Sequence, residues 1–281
     1  MSSTETIEVR AIAFRTRGST HGPVTRLMSP SDLGKLLKPF VFIDLFNFKS
    51  TAGQKGFGMH PHSGIATLTL MLEGDVAYED TTGKKGVLHS GDVEWMRAGN
   101  GVWHNAKFVN DAPISGFQLW VALPASQENA PAQSMYLSPS EVPQEGPARV
   151  LLGRYGAAQS RIPAPADMNY LAVRLKDGER WSYTPPAGHT VAWIALNAGQ
   201  LALGTDDPVA KGELAVFEES GLTIDFLAQG DTSFVLGSAV KHPHDLVMGH
   251  YSVHTNKAAL IQGEAEIQRI GVRLRNEGRL G

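Results

Sequence analysis

The sequence contains no cysteine. Disulfide bonds, thiolate metal sites and a cysteine nucleophile are therefore excluded. It also lacks a surplus of positive charge, since 25 Lys and Arg face 28 Asp and Glu, for a formal net charge of -3. Such a chain cannot neutralise many phosphates, so we expect no direct binding to nucleic acid or to a membrane surface. No apolar run approaches the length of a membrane span.

The first residues, MSSTETIEVRAIA, lack an apolar segment behind a basic start, and we expect no signal peptide. The 281 residues are 42% hydrophobic and 19% charged, which is typical of a soluble globular protein. That length allows one large domain or two of ordinary size. We therefore expect a cytoplasmic protein and a monomer.

Short apolar runs bounded by glycine and proline turns fill most of the chain. IATLTLML, VEWMRA, FQLWVAL, YLAVRL and TVAWIAL are examples, and each is typical of a strand. Helical periodicity is confined to SPSDLGKLL near the start and to NKAALIQGEAEIQRI near the end, where Asn256 or Thr255 could cap the helix. The pattern predicts an all-β protein built as a sandwich or barrel.

Residues 124–148 are rich in Pro, Gln, Glu and Ser, and we interpret them as a linker between two β domains. The strands on either side share a weak repeat, LEGD then SGDVEWM in the first half and NAGQ then KGELAVF in the second. Two tandem small barrels explain the length and the repeat together, and chance similarity of two β segments is the alternative. We predict one domain over 1–135 and a second over 136–281, with a helix near 256–268 on the outside.

Two histidines, His60 and His62, stand one residue apart in GFGMHPHSGIATLTLMLEGD. Side chains at i and i+2 of a strand point to one face, so both imidazoles could meet one cation. We expect that face to be the apolar, buried one, shared with Ala66, Leu68 and Leu70.

A third histidine, His104, follows in SGDVEWMRAGNGVWHNAKF, at the start of a strand that an antiparallel barrel can place beside the first. Three imidazoles from two strand segments leave positions open on iron, copper, nickel or manganese. The alternative is that an HxH pair merely decorates a surface, because the chain has ten histidines and HxH recurs at His242 and His244. We interpret His189, in the second half, as a polar residue on the rim.

The pattern of HxH, glycine turn, Gly-Asp, two glycines and His resembles the two cupin motifs, and more closely the pirin family of two-domain cupins. The matching segments are GFGMHPHSG, LEGD, SGDVEWMRAGNGVWH and GFQLWVALP. Residues 39–48 and 247–267 resemble the opening and closing segments of that family. The resemblance implies two tandem cupin, jelly-roll-like barrels with short peripheral helices, and any metal in the first barrel. The arginine that commonly follows the histidine pair is Ser63 here.

Pirins typically hold a divalent transition metal, often iron, through three histidines and one glutamate. The resemblance carries the histidines over to His60, His62 and His104, with manganese, nickel, copper or zinc as other possible metals. The glutamate two residues after the third histidine is replaced by Ala106, and the one four residues after HxH by Ala66. Two interpretations stay open: a three-histidine metal site with altered chemistry, and a relic site with little or no metal.

The resemblance implies two functions. Some pirins cleave flavonols such as quercetin with O2, so a metal-dependent dioxygenase is the first hypothesis. Loss of the carboxylate placed to act as a base leads us to expect low or absent quercetinase activity. The second hypothesis is a non-catalytic binding or regulatory module that uses a small-molecule ligand or a protein partner. The sequence assigns no catalytic residue.

Overall fold

The computed structural model describes residues 10–53, 55–204 and 207–280. Strands dominate, and the prediction of an all-β fold with short peripheral helices is confirmed. In chain order the elements are β1 Ile12–Thr16, β2 Ser19–His21, β3 Val24–Met28, α1 Gly34–Leu37, β4 Phe40–Phe48, β5 Phe57–His62, β6 Ile65–Glu73, β7 Val76–Asp80, β8 Lys85–Leu88, β9 Val93–Arg97, β10 Val102–Phe108, β11 Ile114–Ala122, β12 Gln133–Leu137, a 3-10 turn Pro139–Glu141, β13 Gln144–Glu145, β14 Ala148–Leu152, β15 Arg154–Tyr155, β16 Ala158–Gln159, β17 Met168–Leu175, β18 Arg180–Tyr183, β19 Val191–Ala202, β20 Val209–Ala210, β21 Leu214–Phe217, β22 Ile224–Ala239, β23 Val247–Gly249, β24 Ser252–His254 and α2 Lys257–Asn276.

The chain forms two compact units, and each draws on segments that are far apart in sequence. Of the described residues, the unit that we call the first barrel comprises those within 18–143, 161–166 and 242–280. The unit that we call the second barrel comprises those within 10–17, 144–160 and 167–241.

The first barrel consists mainly of two antiparallel sheets. A seven-stranded sheet has the order β12-β9-β6-β11-β4-β3-β2, and a four-stranded sheet has the order β5-β10-β7-β8. Side chains of both sheets line one cavity of about 830 Å3. His60 and His104 reach this cavity from the smaller sheet, and Glu94 reaches it from the larger one.

The chain passes from the smaller sheet to the larger one within a single turn between β5 and β6. Gly64 has a φ of 73° there, and a Cβ at this position would lie 2.1 Å from a neighbouring carbonyl oxygen, so only glycine fits. The turn interrupts the alternation of side chains, and β6 presents Thr69 and Met71 to the cavity. The prediction that the histidine pair shares its face with alternate residues of the next strand is therefore wrong for Ala66, Leu68 and Leu70.

The second barrel is built on a nine-stranded antiparallel sheet with the main path β1-β21-β19-β22-β17-β14-β13. Its core includes the fully buried side chains of Trp193 and Tyr183. His189 is 1% exposed, with Nδ1 2.9 Å from the Ser238 hydroxyl and Nε2 3.0 Å from the Asp167 carboxylate. These two hydrogen bonds compensate the burial of His189, which lies in the loop directly before β19. Its interpretation as a polar residue on the rim stays a prediction.

The predicted domains 1–135 and 136–281 place the first strand in the first domain and the last helix in the second. The structure groups β1 with the second barrel and α2 with the first. Strand β1 pairs with β21, with Phe14 opposite Val216, and so belongs to the second barrel. Helix α2 packs on β10 and β24 of the first barrel, where the Trp103 indole donates to the Ile267 carbonyl at 2.8 Å. Local composition carries no trace of pairing between such distant segments.

The segment 124–148, interpreted as a linker, contributes structure to the first barrel as far as Pro143. Strand β12 pairs with β9 there, with Tyr136 opposite Glu94. Glu128 is buried within the same segment. The edge strand β12 was therefore not predicted, because its segment is rich in polar residues and proline.

Helix α2 begins where its sequence predicts. The Asn256 side chain accepts a hydrogen bond from the Ala259 amide at 2.9 Å, which makes Asn256 the N-cap. The helix continues to Asn276, beyond the predicted end at residue 268. No helix among the described residues is long and apolar enough to cross a membrane.

Gly263 is the point of closest approach between α2 and the barrel. A Cβ at this position would lie 2.6 Å from the Ser63 Oγ and 2.7 Å from the His254 Nε2. We expect Gly263→Ala to lower the free energy of unfolding by about 1–3 kcal/mol through overpacking, although alanine favours a helix by about 1 kcal/mol. Urea denaturation measures the change. Gln262→Ala, at an exposed neighbouring position, is the control and should stay near the parent value; equal stability of Gly263→Ala would contradict the close packing.

Candidate metal centre

The antiparallel pairing of β5 with β10 brings the three predicted histidines together. His104 lies directly opposite His60, and Val102 lies opposite His62. The ring centroids are 4.4 Å apart for His60 and His104, 5.2 Å for His62 and His104, and 5.1 Å for His60 and His62. One ring nitrogen of each histidine lies within 4.8 Å of the other two. The three imidazoles therefore converge on one point of the cavity.

Main-chain carbonyl groups fix the tautomers of the first two histidines. The Nδ1 of His60 lies 2.8 Å from the Gly58 carbonyl oxygen, and the Nδ1 of His62 lies 3.1 Å from the Tyr251 carbonyl oxygen. A carbonyl can only accept a hydrogen bond, so each Nδ1 carries the proton. Each Nε2 then keeps its lone pair, which is the arrangement that metal-bound histidines use.

The third histidine shows the same division of roles. The Nδ1 of His104 lies 3.6 Å from a carboxylate oxygen of Glu94. Its Nε2 is buried and has no hydrogen-bond partner among the described residues. A buried polar atom without a partner costs free energy, and a divalent cation held by three Nε2 atoms would satisfy it. The donor set therefore fits a divalent transition metal.

Burial keeps the histidine pair neutral. Desolvation, together with the neighbouring His104, lowers the pKa of His60 to about 4. The pKa of His62 is lowered well below its usual value by burial and by the two other histidines. Since the neutral imidazole is the form that binds a metal, both residues are available as ligands at neutral pH without losing a proton first.

Glu94 is a buried carboxylate of this site that the sequence analysis missed. It is 5% exposed, and its Oε2 accepts a hydrogen bond from the Thr69 hydroxyl at 2.7 Å. Burial acts to raise the pKa of Glu94, but the adjacent His104 and the hydrogen bond from Thr69 hold it below its usual value. A signal is present in the sequence, because Glu94 is the one acidic residue inside the apolar strand VEWMR.

Glu94 is part of a row of polar residues that crosses the larger sheet from strand to strand. The register places neighbours directly opposite one another, and we call this set the polar row: Arg26, Asp44, Gln118, Thr69, Glu94 and Tyr136. Within it, Arg26 donates to both oxygens of Asp44 at 2.9 and 3.0 Å, and the Thr69 hydroxyl lies 2.8 Å from Gln118. The cavity therefore has a polar, hydrogen-bonded wall facing the histidines.

Aromatic rings form the adjoining wall of the cavity. Trp120 stacks on Phe42 with centroids 4.1 Å apart, and the Arg26 guanidinium lies 4.3 Å over the outer face of Phe42. Trp120 also meets the ring of His62 edge-on at 4.9 Å, and Tyr251 lies 5.9 Å from the rings of both His60 and His62. An apolar body with a polar end directed at the histidines would match these surroundings.

The two positions that the resemblance marked for carboxylates differ in the structure. Ala106 borders the cavity on β10, and Ala66 is fully buried away from it. A longer side chain could therefore reach the histidines from position 106. The second HxH pair has ring centroids 5.5 Å apart, but no third ligand joins His242 and His244 within the described residues.

Ser63 anchors the hairpin β23–β24 against the start of β6. Its hydroxyl lies 2.9 Å from the Ser252 hydroxyl and 3.0 Å from the His254 Nε2. The His254 Nδ1 lies 3.1 Å from Glu128. All four side chains are buried, so their contacts serve as a tether between the hairpin and the rest of the barrel. It fixes the hairpin that carries Tyr251.

The chain belongs to the pirin family. A family model described as Pirin matches residues 22–121. A protein of Pseudomonas aeruginosa named "putative quercetin 2,3-dioxygenase" is 31% identical over an alignment of 228 residues that covers 76% of this chain and 79% of that protein. The family that the motifs indicated is therefore confirmed.

Solved structures confirm the predicted fold of two cupin barrels. The crystal structure of quercetin 2,3-dioxygenase from Acinetobacter baumannii superposes with a TM-score of 0.86 at 23% identity, over 93% of this chain and 98% of that one. The bacterial pirin YhhW from Escherichia coli, solved in complex with nickel(II), gives a TM-score of 0.64 at 19% identity, over 84% of this chain and 99% of that one.

Glu128 accepts three hydrogen bonds near the site, from the Thr255 amide at 2.7 Å, the Thr255 hydroxyl at 2.5 Å and His254 at 3.1 Å. Glu128→Ala would leave these donors without an acceptor, and we expect it to lower the free energy of unfolding by about 2–4 kcal/mol. Gln127→Ala, which loses only one 3.4 Å contact, is the control. Chemical denaturation of both variants tests this, and a loss no larger than the control's would contradict the tether.

Proposed function

We propose that the first barrel holds one divalent transition-metal ion through the Nε2 atoms of His60, His62 and His104 and carries out dioxygenase-type chemistry on a small molecule bound in the cavity. The supporting observation is that all three Nδ1 atoms face acceptors, while the buried Nε2 of His104 lacks a partner among the described residues. Iron is the first candidate. Manganese, nickel, copper and zinc suit the same donors, and the nickel(II) complex of a structural relative supports this range.

When bound, the metal would act as a Lewis acid toward oxygen atoms of a ligand and of O2. The residues of the chain supply the rest of the site. The Phe42–Trp120 stack offers a flat apolar surface next to His62, so a planar ligand would lie with its polar edge toward the histidines. Gln118 and Thr69 of the polar row face the same space and can hydrogen-bond hydroxyl or keto groups. A planar, oxygen-bearing aromatic molecule is the substrate class that these surroundings favour.

Position 106 favours a second candidate function, a binding or regulatory module without turnover. Ala106 leaves the histidine strand without a carboxylate that could take a hydroxyl proton from a ligand. A cavity that keeps its metal donors and its aromatic wall can still bind a small molecule. Oxygen uptake by the metal-loaded protein with a flavonol separates the two functions, because the module would bind the flavonol and consume no oxygen.

His62→Ala should abolish stoichiometric metal binding, since it removes one of only three protein donors. Isothermal titration with Ni2+, with metal content of the purified protein as a second measurement, tests this. His244→Ala removes a histidine of the other HxH pair and serves as the control that keeps full binding. Full metal content in a variant with His60, His62 and His104 all replaced by alanine would place the ion elsewhere and overturn the proposed site.

Ala106→Glu should bind Fe2+ or Mn2+ more tightly than the parent protein. The new carboxylate would extend from a position that borders the cavity and would place a negative charge beside the cation, an attraction whose sign is certain in a partly desolvated site. It would also supply a base for a ligand hydroxyl, so we expect flavonol-dependent oxygen uptake to rise. Anaerobic metal titration is the measurement, with Ala106→Gln as the uncharged control. Equal or weaker binding by a folded Ala106→Glu would show that position 106 does not serve the histidines.

A further inference from the structure

We propose that Glu94 is a positioning residue of this centre, which holds the proton of His104 on Nδ1 and so presents Nε2 to the cavity. The inference deepens the proposed function and rests on it for its purpose, since a directed Nε2 is useful only if something binds there. The tautomer itself is a property of the protein without metal. It can therefore be tested whether or not a metal binds.

The geometry separates the two sides of the His104 ring. Oε1 of Glu94 lies 3.6 Å from Nδ1, and the opposite atom, Nε2, has no partner among the described residues. The distance from Glu94 to Nδ1 is longer than a hydrogen bond, so the carboxylate acts on that side of the ring through its negative charge. A carboxylate accepts and never donates when ionised, so a proton on Nδ1 is favoured over one on Nε2.

Hydroxyl groups of the two neighbouring strands hold the Glu94 carboxylate in place. The Thr69 hydroxyl donates to Oε2 at 2.7 Å, and the Tyr136 hydroxyl lies 3.5 Å from Oε1 while it donates to Asp80 at 2.8 Å. The contacts of Glu94 itself come from the strands on either side of β9, namely β6 and β12. A buried carboxylate with anchors on several strands cannot turn away from His104 without leaving hydrogen bonds unmade.

The position of Glu94 also bears on the charge of the site. Three neutral imidazoles bring no negative charge to a divalent cation, and Ala106 and Ala66 bring none. Glu94 is a buried carboxylate on the larger sheet, and it lies next to Nδ1 of His104, on the side of the ring opposite Nε2. Histidine ligands are commonly supported in this way by a carboxylate on the other ring nitrogen. Position 106 on β10 carries no carboxylate, and Glu94 on β9 supplies the negative charge near the histidines instead.

Long-range 1H–15N NMR of the metal-free protein reports directly which nitrogen of His104 carries the proton, with the resonances assigned by their loss in His104→Asn. We expect the parent protein to show the Nδ1–H form. In Glu94→Gln the amide can donate as well as accept, so the Nε2–H form should become populated. Glu79→Gln is the matched control, because Glu79 lies on the neighbouring strand opposite Asn105 and pairs with Arg279. It should leave the tautomer unchanged.

Titration with Ni2+ provides the second readout. Loss of such a carboxylate typically weakens metal binding about 10- to 100-fold, and we expect that loss for Glu94→Gln and none for Glu79→Gln. Glu94→Asp keeps the negative charge but moves it away from His104 by one methylene group. An intermediate loss of Ni2+ affinity in this variant would show that the position of the carboxylate matters as well as its charge. Glu94→Asp also provides the test if the glutamine variant does not fold, as judged by circular dichroism.

Persistence of the Nδ1–H tautomer in Glu94→Gln would overturn the positioning role while the metal site itself stands. If only Glu94→Asp folds, the same conclusion follows when that variant keeps the Nδ1–H tautomer and binds Ni2+ as tightly as the parent. Absence of Ni2+ binding by the parent protein would overturn the proposed function instead. In that case an Nε2–H form in the parent would refute the inference as well, whereas an Nδ1–H form that depends on Glu94 would support it.

Discussion

The antiparallel pairing of β5 with β10 is the constraint on which the candidate centre depends. It fixes His104 opposite His60, and the alternation of a strand then places His62 on the same face as His60. Neither sheet alone completes the surroundings, because Glu94, Thr69 and the Phe42–Trp120 stack belong to the larger sheet. The tight turn at Gly64 joins the two sheets immediately after the histidine pair. The few residues of this turn therefore fix the position of the histidines relative to the polar row on the larger sheet.

The charge of the centre follows from where its carboxylate stands. At position 106 a carboxylate would lie on the strand of His104 and could face a cation directly. Glu94 instead lies 3.6 Å from Nδ1 of His104, on the side of the ring opposite Nε2, so its charge acts through the imidazole. If a divalent ion binds the three histidines as proposed, a negatively charged ligand would meet less repulsion there than in a site whose carboxylate faces the ion directly.

The sequence predicted what is encoded in local patterns. His60, His62 and His104 were found from strand alternation and turn spacing, and Asn256 from capping chemistry. Three features escaped because they depend on long-range pairing. The turn at Gly64 changes sheets and reverses the expected face of β6; β1 joins a strand about two hundred residues away (Phe14 opposite Val216); and Glu94 contacts His104 only because two sheets enclose one cavity. The metal ligands themselves remain a prediction that the geometry supports.

The Tyr251 carbonyl holds His62 from 189 positions further along the chain, and the intervening sequence includes most of the second barrel. The order of synthesis therefore matters. Because a chain emerges from the ribosome N-terminus first, the three histidines are exposed to the cell while the hairpin that completes their surroundings has not yet been made. The surroundings of the histidines are complete only when the hairpin β23–β24 has emerged, so an ion captured earlier would meet a looser and less selective set of side chains.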